Sequence, residues 1–307
     1  MKSTNSILKP SFNRIVVIGA GRVGQTLARL LSESGYTIEA VVCRSLSAAR
    51  AARRFTRARR GATRLEETFL SRSGIIWITT PDDAIASTAL ALAQLPMKWA
   101  GRVVIHSSGA LSSLVLKPLR QRGASVGSLH PIQTFTSPRQ AIKRSHGIFY
   151  TFEGDAAAQA VARRLVQSLD GRLTRIKSKF KPLYHCAGSF ACGGLMAPLS
   201  IAYEIYEKIG IRRDAARSML QPLIESTLEM SRPSTLKKSL TGPISRGDEL
   251  TIRQHLLALE QMTPQFVAYY ANMSLRLLTL AGSHLSVQKR KSIRRLLAGY
   301  ARKHHRV

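Results

Sequence analysis

Cysteine is scarce: the 307 residues contain only Cys43, Cys186 and Cys192. These fit neither a metal-ligand spacing nor a disulfide framework, so a reducing cytoplasm is the expected setting and no metal site is expected. Acids are scarce beside bases, with 17 Asp and Glu against 47 Lys and Arg and a formal net charge of +30. No acid lies between Glu39 and Glu66, and none between Gln261 and Val307. Aromatics make up 6% of the chain and are not interleaved with the arginines as base-stacking platforms would be. This speaks against a specific nucleic-acid partner, although the charge favours non-specific adhesion. No apolar run approaches the ~20 residues that cross a bilayer, so no membrane partner is expected. The opening MKSTNSILKPSFNR lacks the apolar stretch of a secretory signal.

The chain has the 44% hydrophobic content of an ordinary globular protein and a length that favours two domains. Buried-type strands are expected at RIVVI, TIEAVVC, GIIWITT, RVVIHSS and ASVGSL, with helices between them. GIFYTF and GRLTRI continue the alternation. This pattern predicts a parallel, doubly wound α/β sheet. From about Lys177 only helical apolar spacing remains, in PLYHCAGSFACGGLMAPLSIAYEIYEKIG and the segments after it. The expected division is therefore a Rossmann-like domain over 1–176 and an all-α domain over 177–307.

Gly19-Ala20-Gly21-Arg22-Val23-Gly24 is a GxGxxG that follows a strand and opens a helix. In that context Gly19 serves the tight turn, Gly21 lets the backbone approach a pyrophosphate, and Gly24 lets helix and sheet pack closely. An NAD site usually places an acid at the end of the second strand. Here Glu39 lies inside the strand and the end reads Cys43-Arg44-Ser45, which suits the 2′-phosphate of NADP. Thr79, Thr80 and Pro81, at another strand end, are expected beside the adenosine half. From Arg44 to Arg64 the chain carries eight arginines. A polyanion surface is one reading of them, and a solvated helix face is the plainer one.

VIGAGRVG, ITTPDDAI, HSSGALSS, GSLHPIQTF, KPLYHCAG and LTGPISRGD, in this order, resemble the Rossmann-like proteins that carry the domain of unknown function 2520. The resemblance runs from about Arg14 to Met262. Such proteins are similar in architecture to pyrroline-carboxylate reductases, ketopantoate reductases and β-hydroxyacid dehydrogenases. It implies an NADP-dependent oxidoreductase, dimeric through its helices, that reduces a small carbonyl acid between its domains. A 2-keto acid such as ketopantoate is the first expectation and an imine acid the second. A non-catalytic dinucleotide sensor is the alternative from another class.

Within that frame, two strand ends offer polar groups to one crevice: His106, Ser107 and Ser108 on one, His130 and Gln133 on the next. A carbonyl accepting hydride needs hydrogen-bond donors around its oxygen. Ser107 and His130 are expected at the reacting group, with Ser107 also touching the cofactor, and Ser108 and Gln133 are expected at the substrate. In β-hydroxyacid dehydrogenases a helical lysine protonates the nascent alkoxide, and Lys181 is its closest equivalent here. His185, four residues on and beside Tyr184, competes for that role. Arg246, in TGPISRGD, is the candidate clamp for a substrate carboxylate, and Asp248 is expected to cap the helix that follows. Where Gly193 stands, the relatives usually carry asparagine.

Overall fold

In a computed structural model the described residues are 10–304, except 232–235 and 237–239. The chain forms two compact units, Met1–Ala191 and Cys192–Val307. The division therefore falls after the segment Lys181–Ala191, rather than at the expected 176/177.

The first unit is built on eight strands: β1 (Arg14–Ile18), β2 (Thr37–Val42), β3 (Arg60–Ala62), β4 (Ile75–Ile78), β5 (Val103–His106), β6 (Ser125–Pro131), β7 (Phe149–Gly154) and β8 (Arg172–Arg175). They form one sheet in the order β3-β2-β1-β4-β5-β6-β7-β8. The reversal of direction around β1 and β4 is the doubly wound topology, in which ligands collect at the carboxyl ends of the central strands. Helices α1 (Arg22–Glu33), α2 (Leu46–Thr56), α3 (Glu67–Leu70), α4 (Asp82–Ala93), α5 (Lys117–Gln121), α6 (Pro138–Arg144) and α7 (Ala156–Ser168) connect the strands.

Alternation within β1 explains why both faces are covered. Ile15 and Val17 pack with Leu27 and Leu31 of α1, whereas Val16 and Ile18 pack with Ile85 and Leu92 of α4. A strand buried on both sides reads as an unbroken apolar run, which is why RIVVI is recognisable. The segment RGA of β3 carries no such run. It is a three-residue edge strand paired only with β2, and the sequence pattern misses it.

The expected wholly parallel sheet needs one correction. β7 runs antiparallel to β6, with His130 opposite Thr151, and β8 then runs parallel to β7. The only α-helix between β6 and β7 is the seven-residue α6, and the chain returns from the end where β6 leaves. A parallel return needs a full crossover.

The helix α8 (Lys181–Ala191) closes the first unit. The second unit contains α9 (Gly193–Lys208), α10 (Arg213–Ser231), α11 (Pro243–Arg246), α12 (Glu249–Met262), α13 (Val267–Ala281) and α14 (Val287–Lys303). Its core joins Ile252 and Leu256 to Val267, Ala271, Leu278, Ile293 and Leu297. Asp248 caps α12 as expected, its carboxylate accepting from the Thr251 amide at 3.1 Å.

α9 and α10 differ from the rest. No residue of α9 is buried and only Ala216 of α10 is, while Met196, Met219 and Leu223 are more than half exposed. The stretch Ser178–Lys208 is also long and apolar enough, by length and composition, to cross a membrane. Ala, Leu, Met and Cys raise its mean hydropathy without forming an uninterrupted apolar run of ~20 residues.

Candidate active site

The glycine turn has the geometry its spacing implies. Gly19 has φ +85°, and a Cβ there would lie 2.6 Å from the Thr80 amide nitrogen. A Cβ on Gly24 would collide with the Thr79 hydroxyl, which itself donates to the Gly19 carbonyl at 2.9 Å. These two glycines are required by the packing of β1, α1 and the end of β4. Gly21 is different, because a Cβ there would meet only the Gly19 carbonyl oxygen, at 3.9 Å. Nothing within the chain crowds Gly21, so the space before it is open to a ligand.

Gly21 also precedes a twelve-residue helix without capping it through a side chain. The helix thus presents free backbone N–H groups to an anion. Beside the turn, the Thr80 hydroxyl is buried with no hydrogen-bond partner among the described residues. An open glycine, an uncapped helix and an orphaned hydroxyl fit the pyrophosphate and ribose of a dinucleotide. Pro81 follows Thr80 as the N-cap of α4, and Ala20, Arg22 and Val23 complete the turn.

At the end of β2, Arg44 is exposed and makes no hydrogen bond or ion pair among the described residues, so its guanidinium is available to a phosphate. Ser45 is partly committed, because its hydroxyl caps α2 by accepting from the Ala48 amide at 3.3 Å.

The ends of β5 and β6 meet α8, and the two periodicities match. Ser128 and His130, two apart on β6, share one face of the strand, and Lys181, Tyr184 and His185 share one face of α8. The Lys181 ammonium donates to the Ser128 hydroxyl at 2.5 Å and to the Ser108 carbonyl at 2.7 Å. His130 Nδ1 lies 2.8 Å from the Tyr184 hydroxyl, and the His130 and His185 rings meet edge to face with centroids 6.0 Å apart. Gly109 makes room for both imidazoles. A Cβ there would sit 2.5 Å from His185 Cδ2 and 2.9 Å from His130 Nε2.

Electrostatics separates the roles of these groups. Burial, and after it the Lys181 charge, lowers the His106 pKa to about 3 and the His130 pKa to about 4. Both imidazoles are therefore neutral at physiological pH. Burial raises the Tyr184 pKa and keeps its phenol protonated. Lys181 is pulled down to about 8 by burial, against the opposing charges of Glu153 and Asp82. Glu153 is held by the Ser113 amide and by the hydroxyls of Ser113 and Ser178.

Several expected residues do not face an opening. Lys181 is only 1% exposed and spends two donors inside the first unit. His106 is wholly buried. The Ser108 hydroxyl donates to Asp82 at 2.7 Å and accepts from the amides of Ala110 and Leu111, so the substrate contact expected of it has no free atom. The Gln133 amide is likewise used locally, donating to the Arg144 carbonyl and accepting from the Thr134 amide. Ser107 is half-buried and its hydroxyl accepts from the Trp77 indole at 2.8 Å, which leaves its hydrogen free. Arg246 is exposed and lies in the second unit.

Tyr184, Gly109 and Ser128 were not among the expected site residues. The i, i+2 relation of Ser128 to His130 was a legible signal for one of them. The approach of β6 to α8 has no local signature.

A Rossmann-like domain model matches residues 1–131, and the model for DUF2520, a domain of unknown function, matches 148–277. No curated protein matches the chain. Among solved structures, a candidate NADP oxidoreductase from Bacteroides fragilis is 22% identical, with a TM-score of 0.72 over 88% of this chain and 100% of its own. Pyrroline carboxylate reductase from Plasmodium falciparum, with NADP bound, is 13% identical, with a TM-score of 0.55 over 92% and 98%. A reductive aminase from Aspergillus terreus, in complex with NADPH and ethyl-5-oxohexanoate, is 15% identical, with a TM-score of 0.58 over 94% of both chains. At these identities the likeness establishes the fold. With both domain models matching in the order that the motifs follow, the chain belongs to the Rossmann-like proteins that carry the DUF2520 domain.

Proposed function

We propose that this protein is an NADP(H)-dependent reductase of a small carbonyl or imine acid. The observation that carries the reading is the open space at Gly21 beside an orphaned Thr80 hydroxyl, in the same unit as the Tyr184–His130–His185 cluster. The solved relatives named for pyrroline carboxylate and reductive amination support a C=N substrate over ketopantoate, for which no observation speaks. Gly19, Gly21 and Gly24 would admit the pyrophosphate, with Thr80 at the ribose and Arg44 on the 2′-phosphate. The cofactor, when bound, supplies hydride.

The chain supplies the proton. If neutral His130 carries its hydrogen on Nδ1, it donates to the Tyr184 oxygen and leaves the phenolic hydrogen free for the substrate's developing negative charge or nitrogen lone pair. The same bond steadies the phenolate that remains. His185, exposed at the rim, is the competing donor. Burial, and after it the Lys181 charge, keeps His130 neutral, and Lys181 also holds β6 against α8.

The apolar faces of α9 and α10 suit a second copy of this chain, and a homodimer is part of the proposal. The deciding experiment is NADPH oxidation by the purified protein against a panel of keto and imine acids. Reduction of an imine acid supports the reading. NADPH binding with no turnover across the panel assigns the protein to a non-catalytic sensor instead.

A further inference from the structure

The arginine run contains a feature that the reductase reading does not use. α2 and β3 lie against each other because residue 61 is glycine. A Cβ there would be 2.5 Å from the Ala49 carbonyl oxygen and 3.3 Å from Arg53 Cβ. Along this contact runs a groove of about 550 Å³, within the range of small-molecule sites. Arg50 and Arg53, three apart on one face of α2, line it together with Arg59, Arg60 and Thr63.

The charges in the groove are mostly unanswered. Arg59 is tied to Glu39 at 3.3 Å, a carboxylate that also takes Arg14 at 3.1 Å. The side chains of Arg50, Arg53 and Arg60 form no hydrogen bond or ion pair among the described residues. Glu66 is the one acid among the lining residues, and its carboxylate accepts from the Thr68 hydroxyl. Three such arginines line one concavity, each with a planar fork of donors that matches phosphate oxygens. All four arginines that line the groove are exposed, so a ligand would meet them from solvent.

We propose that the α2–β3 groove binds a compact oligophosphate, the di- or triphosphate chain of a nucleotide or its inorganic counterpart. The concavity and its size favour a small molecule. Duplex DNA instead takes an inserted helix or ribbon into its major groove. The groove adjoins the end of β2, since Leu46, two residues after Arg44, lines it, while β2 intervenes between β3 and β1 and sets the glycine turn ~10 Å away.

The test titrates inorganic tripolyphosphate and ATP, separately, into the full-length protein by calorimetry at ~150 mM salt, where long-range attraction is screened. Saturable binding is expected, and Arg50→Ala and Arg60→Ala should each weaken it roughly tenfold or more. Arg44→Ala at the end of β2, and a Lys291→Ala/Arg294→Ala/Arg295→Ala variant on α14, should change it less than about twofold. Tighter binding of ATP than of tripolyphosphate identifies a nucleotide, and equal binding identifies the free oligophosphate. The proposal is overturned if neither probe binds at this salt. It is also overturned if the α14 variant loses as much as the groove variants, or if Arg44→Ala alone abolishes binding. Displacement of tripolyphosphate by a short DNA duplex at lower concentration would transfer the groove to nucleic acid.

Discussion

The phenolic oxygen of Tyr184 lies 2.8 Å from Nδ1 of His130, although 54 residues separate them in the chain. One belongs to the first turn of α8 and the other to the end of β6. Beside them the Lys181 ammonium links α8 to the same strand ends, bonding to the Ser128 hydroxyl and the Ser108 carbonyl. The cation is buried, whereas the Tyr184–His130 pair beside it is only partly so.

The first prediction separates Tyr184 from Lys181. Once a substrate is identified, Tyr184→Phe should lower turnover by ~10²–10⁴-fold if the phenol is the donor, with NADPH affinity nearly unchanged. Lys181→Met should leave turnover within ~10-fold of the wild type, because its ammonium does not reach substrate. A collapse of turnover in Lys181→Met, with full turnover in Tyr184→Phe, would reinstate the lysine. If both variants keep wild-type rates while His185→Phe loses them, the exposed imidazole is the donor.

The second concerns the three glycines. Gly21→Ala adds a Cβ that meets nothing closer than 3.9 Å, so thermal stability should hold while NADPH affinity falls. Gly24→Ala drives a Cβ into the Thr79 hydroxyl and should lower stability by ~1–3 kcal/mol, the range for overpacking. Thermal melts and titration calorimetry on the two variants check the contrast. Equal loss of stability in both would mean that Gly21 serves packing alone.

Cofactor choice gives the third. NADPH should bind more tightly than NADH, and Arg44→Ala should narrow the difference by ~1–3 kcal/mol. Indistinguishable affinities in the wild type would remove Arg44 from the site.

The fourth follows from proton linkage. The folded pKa values of His130 and His106 lie at about 4 and about 3, below the ordinary 6.5, so the unfolded chain binds more protons in between. Their contribution to stability is complete above pH 6.5 and is lost as pH falls from 6.5 towards 4 and then 3. Lys181 has the same sign in another window: stability should rise between pH 8 and 10.5, where the unfolded amine is still protonated. Denaturant midpoints across pH should show both slopes. His130→Asn should flatten part of the acid limb and Lys181→Met the alkaline one.

The fifth addresses the uncovered helices. If a second copy covers α9 and α10, light scattering on the eluting protein should give twice the chain mass. Met219→Glu with Leu223→Glu should then give a monomer. A wild-type monomer would refute the dimer, and recovery of the protein only with vesicles would assign these helices to a membrane.

Much of the architecture was legible in the residues because it rests on short-range rules. RIVVI followed by GAGRVG declares a doubly buried strand, a tight turn and a helix start within eleven residues, and the turn formed as that pattern requires. Asp248 before an apolar helical stretch declares a cap, and it caps. β3 escaped because an edge strand of three residues buries too little to leave an apolar signature.

The site itself was only half determined by the order of residues. Local spacing could place Ser128 with His130 on one face of a strand, and Lys181 with Tyr184 and His185 on one face of a helix. Which of those groups would be sealed inside and which would face an opening depended on the docking of α8 onto the ends of β5 and β6. That docking brings together residues more than fifty positions apart. Burial follows from contacts on all sides, so only the tertiary structure could seal the lysine inside and leave His185 exposed and Tyr184 half-buried.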